Sequence, residues 1–300
     1  MRTEDLRLFV LAAEKLNISA AGRVLGLAPA VASSKLAKLE NLLGADLLHR
    51  STRRVSLSVE GSEFLPYARE IISQEDAAMA ALGRGSDQIR GTLRFAAPCS
   101  FAQLYIIPLL PEFLTRFPEL TLDLKLSDLA FDPIEGSFDL ALRNAALADS
   151  SLRARRLAED SRVLCASPLY LEARGEPQQP EDLRNHSLVA FGNPTSRKLR
   201  SSAGVTSDLE FSAPNTRLVV DDGRSQVLAT LAGAGISMNS RWIVHDYLKR
   251  GDLVRVLPDY EVADDANLWL VYPRSNVLSP KVRVLIDFLM EKIAVNPPWD

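Results

Sequence analysis

Histidine and cysteine are scarce in this chain of 300 residues, with three of the first and two of the second. His49, His186 and His245 lie far apart, and none has a cysteine or carboxylate at metal-ligand spacing. Cys99 and Cys165 form no CxxC pair and read as reduced core thiols of a cytosolic protein. There is no G-x-S-x-G elbow and no glycine-rich phosphate cradle, and Gly233-Ala234-Gly235 is too short for a dinucleotide fingerprint. Those gaps exclude the corresponding enzyme classes, so the chain reads as a non-enzyme without metal or cofactor. The carboxylates Asp128, Asp132, Glu135 and Asp139 read as a solvated loop ahead of a hard-cation site. No apolar run approaches the ~20 residues of a membrane span. Met1-Arg2-Thr3-Glu4-Asp5 leads into an amphipathic helix and not the apolar core of a signal peptide, so the expected location is the cytoplasm.

What is present is ordinary in bulk and uneven in distribution. Hydrophobic residues make up 47% and charged residues 24%, the values of a globular protein. The length suits two or three domains. Net charge is −3, yet residues 1–60 hold nine Lys/Arg against six Asp/Glu. Any contact with a polyanion is therefore expected at the N-terminal end.

The most informative stretch runs from Ser19 to Gly61. Leu6, Phe9, Val10, Ala13 and Leu16 predict a first helix capped by Thr3, and Ser19 is placed to cap a second. Gly26 suits the left-handed residue that ends that helix, and Pro29 suits the first position of the next. Ala32, Leu36, Leu39 and Leu43 give the third helix its core face. Ala30, Ser33, Ser34, Ala37 and Lys38 then face outward. Short side chains on that face let a helix backbone approach base edges in a major groove. Residues 46–57 read as a two-stranded wing whose turn holds Arg50, Arg53 and Arg54, three arginines suited to phosphates or a minor groove.

Ser58 is placed to cap a long helix reaching about Leu82, with an apolar stripe of Phe64, Ala68, Ile71, Ala78 and Leu82. Pairing with a second copy would bury that stripe; docking on the chain's own C-terminal part is the alternative. Gly83-Arg84-Gly85-Ser86 reads as a hinge. From Arg90 the pattern alternates strands and helices, predicting α/β packing with largely parallel sheets.

These residues resemble the LysR-type transcriptional regulators over nearly the whole chain. The resemblance is carried by Asp5 to Val10, Leu25 to Ser33, Leu39-Glu40, Leu43-Gly44 and the wing Leu48 to Leu57. It continues in Gly91 to Arg94, Phe113 to Pro118, Phe138 to Arg143 and Ala232 to Ile236. It implies a winged helix-turn-helix DNA-binding domain over 1–60, a linker and dimerisation helix with hinge over 61–89, and an effector-binding domain over 90–300. That last domain would be two-lobed, like a periplasmic solute-binding protein, with lobe 1 at about 90–163 and 268–300 and lobe 2 at about 164–267. Dimers paired into tetramers on double-stranded operator DNA are implied as well.

Carried over by position, the base-reading face falls on Pro29, Ala30, Ser33 and Ser34, with Arg53 in the minor groove and Lys35 or Lys38 on phosphates. Three positions depart from the family pattern. Ala28 stands where a serine normally caps the helix, a loss of ~1 kcal/mol. Pro29 replaces a glutamine that often reads bases, and Ser34 replaces a common Arg or Lys. More weight then falls on the wing, on phosphates and on DNA shape.

For an effector, ligands of two-lobed α/β domains bind where strand ends and helix starts meet the cleft. Ser100, with the amides of Pro98-Cys99-Ser100-Phe101, suits a carboxylate, or serves as a plain helix cap. Asp221 and Asp222 read as caps first and ligand groups second. Arg143 suits an anion, or a partner in Asp139 or Asp128. Phe101, Leu129 and Phe191 are expected as apolar walls or as core. The paired aspartates favour a ligand with a cationic or hydroxyl-bearing end. The competing reading is a cytosolic small-molecule binder with no transcriptional role, which leaves the basic wing unexplained.

Overall fold

Leu6, Leu8, Phe9 and Ala12 are buried on α1 (Thr3–Lys15), whose apolar spacing follows the predicted helix closely. Arg2, in extended conformation, holds the cap position expected for Thr3 and makes no side-chain capping bond. The second helix, α2 (Ile18–Val24), is capped by Asn17, whose side chain accepts the Ala20 amide at 2.8 Å. Ser19, expected there, lies inside the first turn because the helix starts at Ile18, two residues earlier than that cap implies. Gly26 has φ +68°, as its position after α2 requires. Helix α3 (Pro29–Leu43) begins at the proline, carries no side-chain cap at Ala28, and stops at Gly44, φ +68°. Ala32, Leu36 and Leu39 face the core, whereas Leu43 is 36% exposed because the last turn overhangs it.

Strands β1 (Leu48–Arg50) and β2 (Val55–Leu57) pair antiparallel as the expected wing. Ser58 caps α4 (Val59–Ala81), accepting the Gly61 amide at 2.8 Å. The predicted α4 stripe divides. Ala68 is buried and Phe64 stacks on Phe9 at 5.9 Å, whereas Ile71 is 37% and Leu82 69% exposed. Arg7 pairs with Glu75 and Asp76, and Arg69 with Glu14, so α1 holds α4 along its length. The linker helix thus packs as part of the N-terminal unit. Two compact units result, Met1–Gln88 with Ser275–Pro280, and Ile89–Arg274 with Lys281–Asp300. This computed structural model describes residues 1–50, 55–82, 89–128, 138–145, 152–192, 196–201, 204, 206–210, 214–263, 266–273 and 278–299.

The second unit has two lobes, each on a five-stranded sheet. In chain order its strands start with β3 (Gly91–Ala97), β4 (Leu120–Leu126), β5 (Leu140–Ala145), β6 (Leu152–Glu159) and β7 (Arg162–Ala166). Next come β8 (Leu188–Phe191), β9 (Ser196–Ser201), β10 (Thr206–Glu210), β11 (Thr216–Val220) and β12 (Ile236–Ser240). Last are β13 (Val254–Val256), β14 (Tyr260–Val262) and β15 (Asn267–Pro273). The helices are α5 (Cys99–Phe101), α6 (Leu110–Arg116), α7 (Pro168–Arg174), α8 (Gly223–Leu231), α9 (Arg241–Arg250) and α10 (Pro280–Leu289).

Lobe 1 orders its sheet β4-β3-β5-β15-β6 and lobe 2 β11-β8-β12-β7-β13; a small third sheet is β10-β9-β14. The expectation of largely parallel sheets is corrected. β3, β4 and β5 run parallel, but β15 is antiparallel to β5 and β6, and β7 to β12 and β13. The chain passes from the first sheet to the second between β6 and β7, and comes back to the first at β15. The strands that follow each crossing, β7 and β15, pair antiparallel with their neighbours. Helical backbone from Cys99 to Arg116 is not one continuous α-helix. A π turn (Ala102–Ile106) and a 3-10 turn (Ile107–Leu109) separate α5 from α6, because Pro108 and Pro111 supply no amide to the ladder. β6 was missed by periodicity because Arg153, Arg155 and Arg156 line an outer strand, where charge is tolerated on an edge.

Candidate nucleic-acid interface and interlobe site

The outward face of α3 is built by what lies beneath it. At Gly22 an added Cβ would stand 2.8 Å from the Ala32 Cβ, so glycine lets α2 and α3 touch there. That contact leaves Pro29, Ala30, Val31, Ser34 and Lys38 exposed and Ser33 half-buried. With a proline at the first position and no side-chain cap, the first-turn amides of Ala30 and Val31 have no intrahelical acceptor. They add positive potential to a face of short side chains. Lys38 has no ion pair among the described residues. Lys35 differs from the expectation. Its ammonium turns back to α1, 3.2 Å from Asp5 and 3.9 Å from Glu4, so its charge is already matched.

The wing is fastened to the same helix. Glu40, buried in the last turns of α3, accepts the amides of Leu47 and Leu48. Ser58 Oγ donates to the Asp46 carbonyl at 2.5 Å, closing the other end of the hairpin. Arg50 ends β1; Arg53 and Arg54 lie outside the described residues. Sequence reasoning missed Glu40 as an organiser, although a lone carboxylate among core leucines is a usable signal.

Between the lobes the structure brings Ser100 and Asp222 to one place. Ser100 is buried; its hydroxyl donates to Asp128 Oδ2 at 3.0 Å and accepts the Arg224 amide at 3.0 Å. It is not a helix cap, since Pro98 holds that position. Asp222 is the cap of α8, accepting the Ser225 amide at 2.6 Å. Asp128 Oδ2 also accepts the Gly223 amide at 2.9 Å. In the stretch Pro98–Phe101, whose amides were expected to meet a carboxylate, the Ser100 amide is given to Asp128 Oδ1 at 3.3 Å. At the start of α8 the amides of Gly223, Arg224 and Ser225 are likewise engaged by the protein itself.

Other expected wall residues separate. Phe101 is fully buried, packed edge-on against Trp242 at 5.2 Å and Trp299 at 5.6 Å, and belongs to the core. Phe191 is 40% exposed at the end of β8. Arg143 is half-buried on β5, and Leu129 lies outside the described residues. Asp139 does not await Arg143. It accepts Lys281 Nζ at 2.8 Å and the Arg94 amide at 2.8 Å. Tyr105 donates to the Trp242 carbonyl at 2.5 Å, a second strap between lobes that the sequence did not announce.

Titratable groups near the cleft follow burial. Burial first, then the Asp128 and Asp222 charges, pushes up the half-buried Cys99 thiol, which is not a core residue as expected. Cys165 is in the core, its thiol pushed up to about 11 by burial. At the crossing, burial also raises Asp160, against the pull of Arg162 and a hydrogen bond from Ser240 at 2.8 Å. Among the described residues no group of three or more His, Cys, Asp or Glu is placed to hold a metal. No described helix is long and apolar enough to cross a membrane.

The LysR substrate binding domain family matches residues 86–294, and the bacterial regulatory helix-turn-helix protein, lysR family, matches residues 3–62. The chain belongs to the LysR family. It is 34% identical over 292 residues to an HTH-type transcriptional regulator of Xanthomonas campestris pv. campestris, covering 96% of this chain and 85% of that one. It is 31% identical to the HTH-type transcriptional regulator DmlR of Escherichia coli K12, covering 98% of this chain and 95% of that one. The solved LysR-type regulator CrgA of Neisseria meningitidis superposes with TM-score 0.60 at 29% identity, covering 97% and 98% of the two chains. The Vibrio cholerae virulence activator AphB shares the fold, with TM-score 0.60 at 24% identity over 97% and 99%. This LysR family member is therefore a transcriptional regulator with a helix-turn-helix DNA-binding domain and an effector-binding domain, not an enzyme. Proteins of the family bind DNA operators and small-molecule effectors and form oligomers.

Proposed function

We propose that this regulator reads its operator with the N-terminal half of α3, through Pro29, Ala30, Ser33 and Ser34, while Lys38, Arg50, Arg53 and Arg54 hold phosphates or a minor groove. The observation that supports this most is the exposed run of short side chains at an uncapped helix start, mounted directly beside the hairpin. Lys35 is left out because Asp5 already matches its charge. With few side chains able to bond base edges, specificity rests largely on DNA shape. The protein works in the cytoplasm as a dimer through the outward residues of α4, among them Tyr67, Ile71 and Met79, 68%, 37% and 44% exposed. Dimers pair into tetramers, and a small molecule bound between the lobes alters that pairing and the bend of the DNA.

Arg53→Ala tests the wing. Affinity for operator DNA falls and the slope of log affinity against log salt shrinks by about one. Unchanged affinity across salt refutes the assignment. Ser33→Ala relaxes base preference more than it weakens non-specific binding; an equal loss on all sequences points to phosphate contact instead.

A further inference from the structure

Every amide of the first turn of α8 is occupied, and two of the three acceptors come from the opposite lobe. Asp222 takes Ser225, its own helix's third residue, at 2.6 Å. Asp128, just past β4 on lobe 1, takes Gly223 at 2.9 Å. Ser100, also on lobe 1, takes Arg224 at 3.0 Å. Asp128 and Ser100 are themselves joined, Ser100 Oγ donating to Oδ2 at 3.0 Å and the Ser100 amide to Oδ1 at 3.3 Å. Asp128, Gly223, Arg224 and Ser100 close a ring across the cleft. A carboxylate facing helix amides and a hydroxyl is the arrangement by which proteins hold a small acid. Here the acid is part of the chain. The fit is close on the lobe 2 side, where a Cβ added at Gly223 would lie 3.1 Å from Ser100 Oγ and 3.6 Å from Asp128 Oδ2.

We infer that Asp128 is a latch and a selectivity residue: its carboxylate occupies the anion seat between the lobes, holding them together without a ligand and excluding free carboxylates from that seat. The second half of the inference rests on the reading of the cleft as the effector site; the first half does not. An effector that leaves the latch in place must present a cationic or hydroxyl-bearing end to Asp128 and Asp222. One that carries its own carboxylate must displace Asp128 first.

Amide hydrogen exchange on the full chain, with sodium formate as the probe, tests this. In wild type, the peptide covering the start of α8 exchanges at a rate that formate does not change relative to sodium chloride at equal ionic strength. In Asp128→Ala, exchange at Gly223 and Arg224 quickens about tenfold or more as a protecting bond is lost. Formate then slows it again and raises the melting midpoint by about 2 °C or more over chloride. Gly223→Ala, acting from the other lobe, quickens exchange in the same peptide without gaining the formate response, because the carboxylate remains. Asp128→Asn, equal in size but neutral, keeps the fold if the alanine variant does not, and shows the faster exchange. Unchanged exchange in both Asp128 variants overturns the latch. Equal protection by formate in wild type and Asp128→Ala overturns the exclusion. Operator binding measured alongside separates the two readings: a latch that responds as stated, with no small molecule able to alter DNA binding, defeats the effector reading alone.

Discussion

The carboxylate of Glu40 lies 3.1 Å from the amide of Leu47 and accepts the Leu48 amide at 3.2 Å, so the end of α3 and the start of the wing are one hydrogen-bonded piece. The helix proposed to enter the groove and the hairpin proposed to hold the backbone therefore keep a set spacing. Glu40→Ala removes the acceptor and strands two amides in a buried place, at a cost of about 2 kcal/mol or more. Denaturant unfolding reports that loss, and operator affinity falls with it. A variant as stable as wild type disproves the role given to this carboxylate.

Lys35 and Lys38 are three residues apart on one helix and differ in what they face. Lys38→Ala lowers the salt slope of DNA binding by about one, as expected for a phosphate contact. Lys35→Ala leaves that slope unchanged and costs less than about 1 kcal/mol, the worth of a partly exposed ion pair. Titrations of both variants at several salt concentrations decide it; equal slopes for the two contradict the division.

Gly61 sits where no side chain fits. A Cβ there would stand 1.9 Å from the Leu47 carbonyl oxygen, and a backbone atom held in the wing cannot step aside alone. Gly61→Ala is expected to destabilise the N-terminal unit by about 2–3 kcal/mol. Thermal unfolding and operator binding report it together, and a neutral effect shows that α4 and the wing are not held at this distance.

Asp160 makes stability depend on pH. Burial raises its folded pKa above the ordinary 3.8 despite Arg162 and Ser240. A raised folded value means that the stability tied to this group is present below the unfolded pKa and lost as pH rises through the folded one. Asp160→Asn, which never ionises, escapes that loss. Its melting midpoint gains on wild type as pH climbs from about 3.8 upward and levels off above the raised pKa. A gap that stays constant with pH, or moves the other way, refutes the burial argument.

The N-terminal unit was largely legible because its signals are local. Gly26 at φ +68° and Pro29 at the first turn mark helix ends from residue type alone. The alternation at Leu120–Leu126 marked β4 for the same reason. The cap positions went astray by one or two residues, at Thr3 and Ser19, where neighbouring polar residues compete for the same place. The third sheet and α9 went unread. β9 and β10 mix charge with few apolar positions, and their order depends on pairing with β14 from far along the chain.

By itself the sequence determined the helices of the N-terminal unit, the wing and the family resemblance, since each depends on spacing within a few residues. Only the tertiary structure decided which charges are spent. Lys35 meets Asp5 across 30 positions, and Asp128 meets Gly223 across 95. No local pattern records such pairs, because the free energy of a buried or bridged charge depends on what the fold brings beside it.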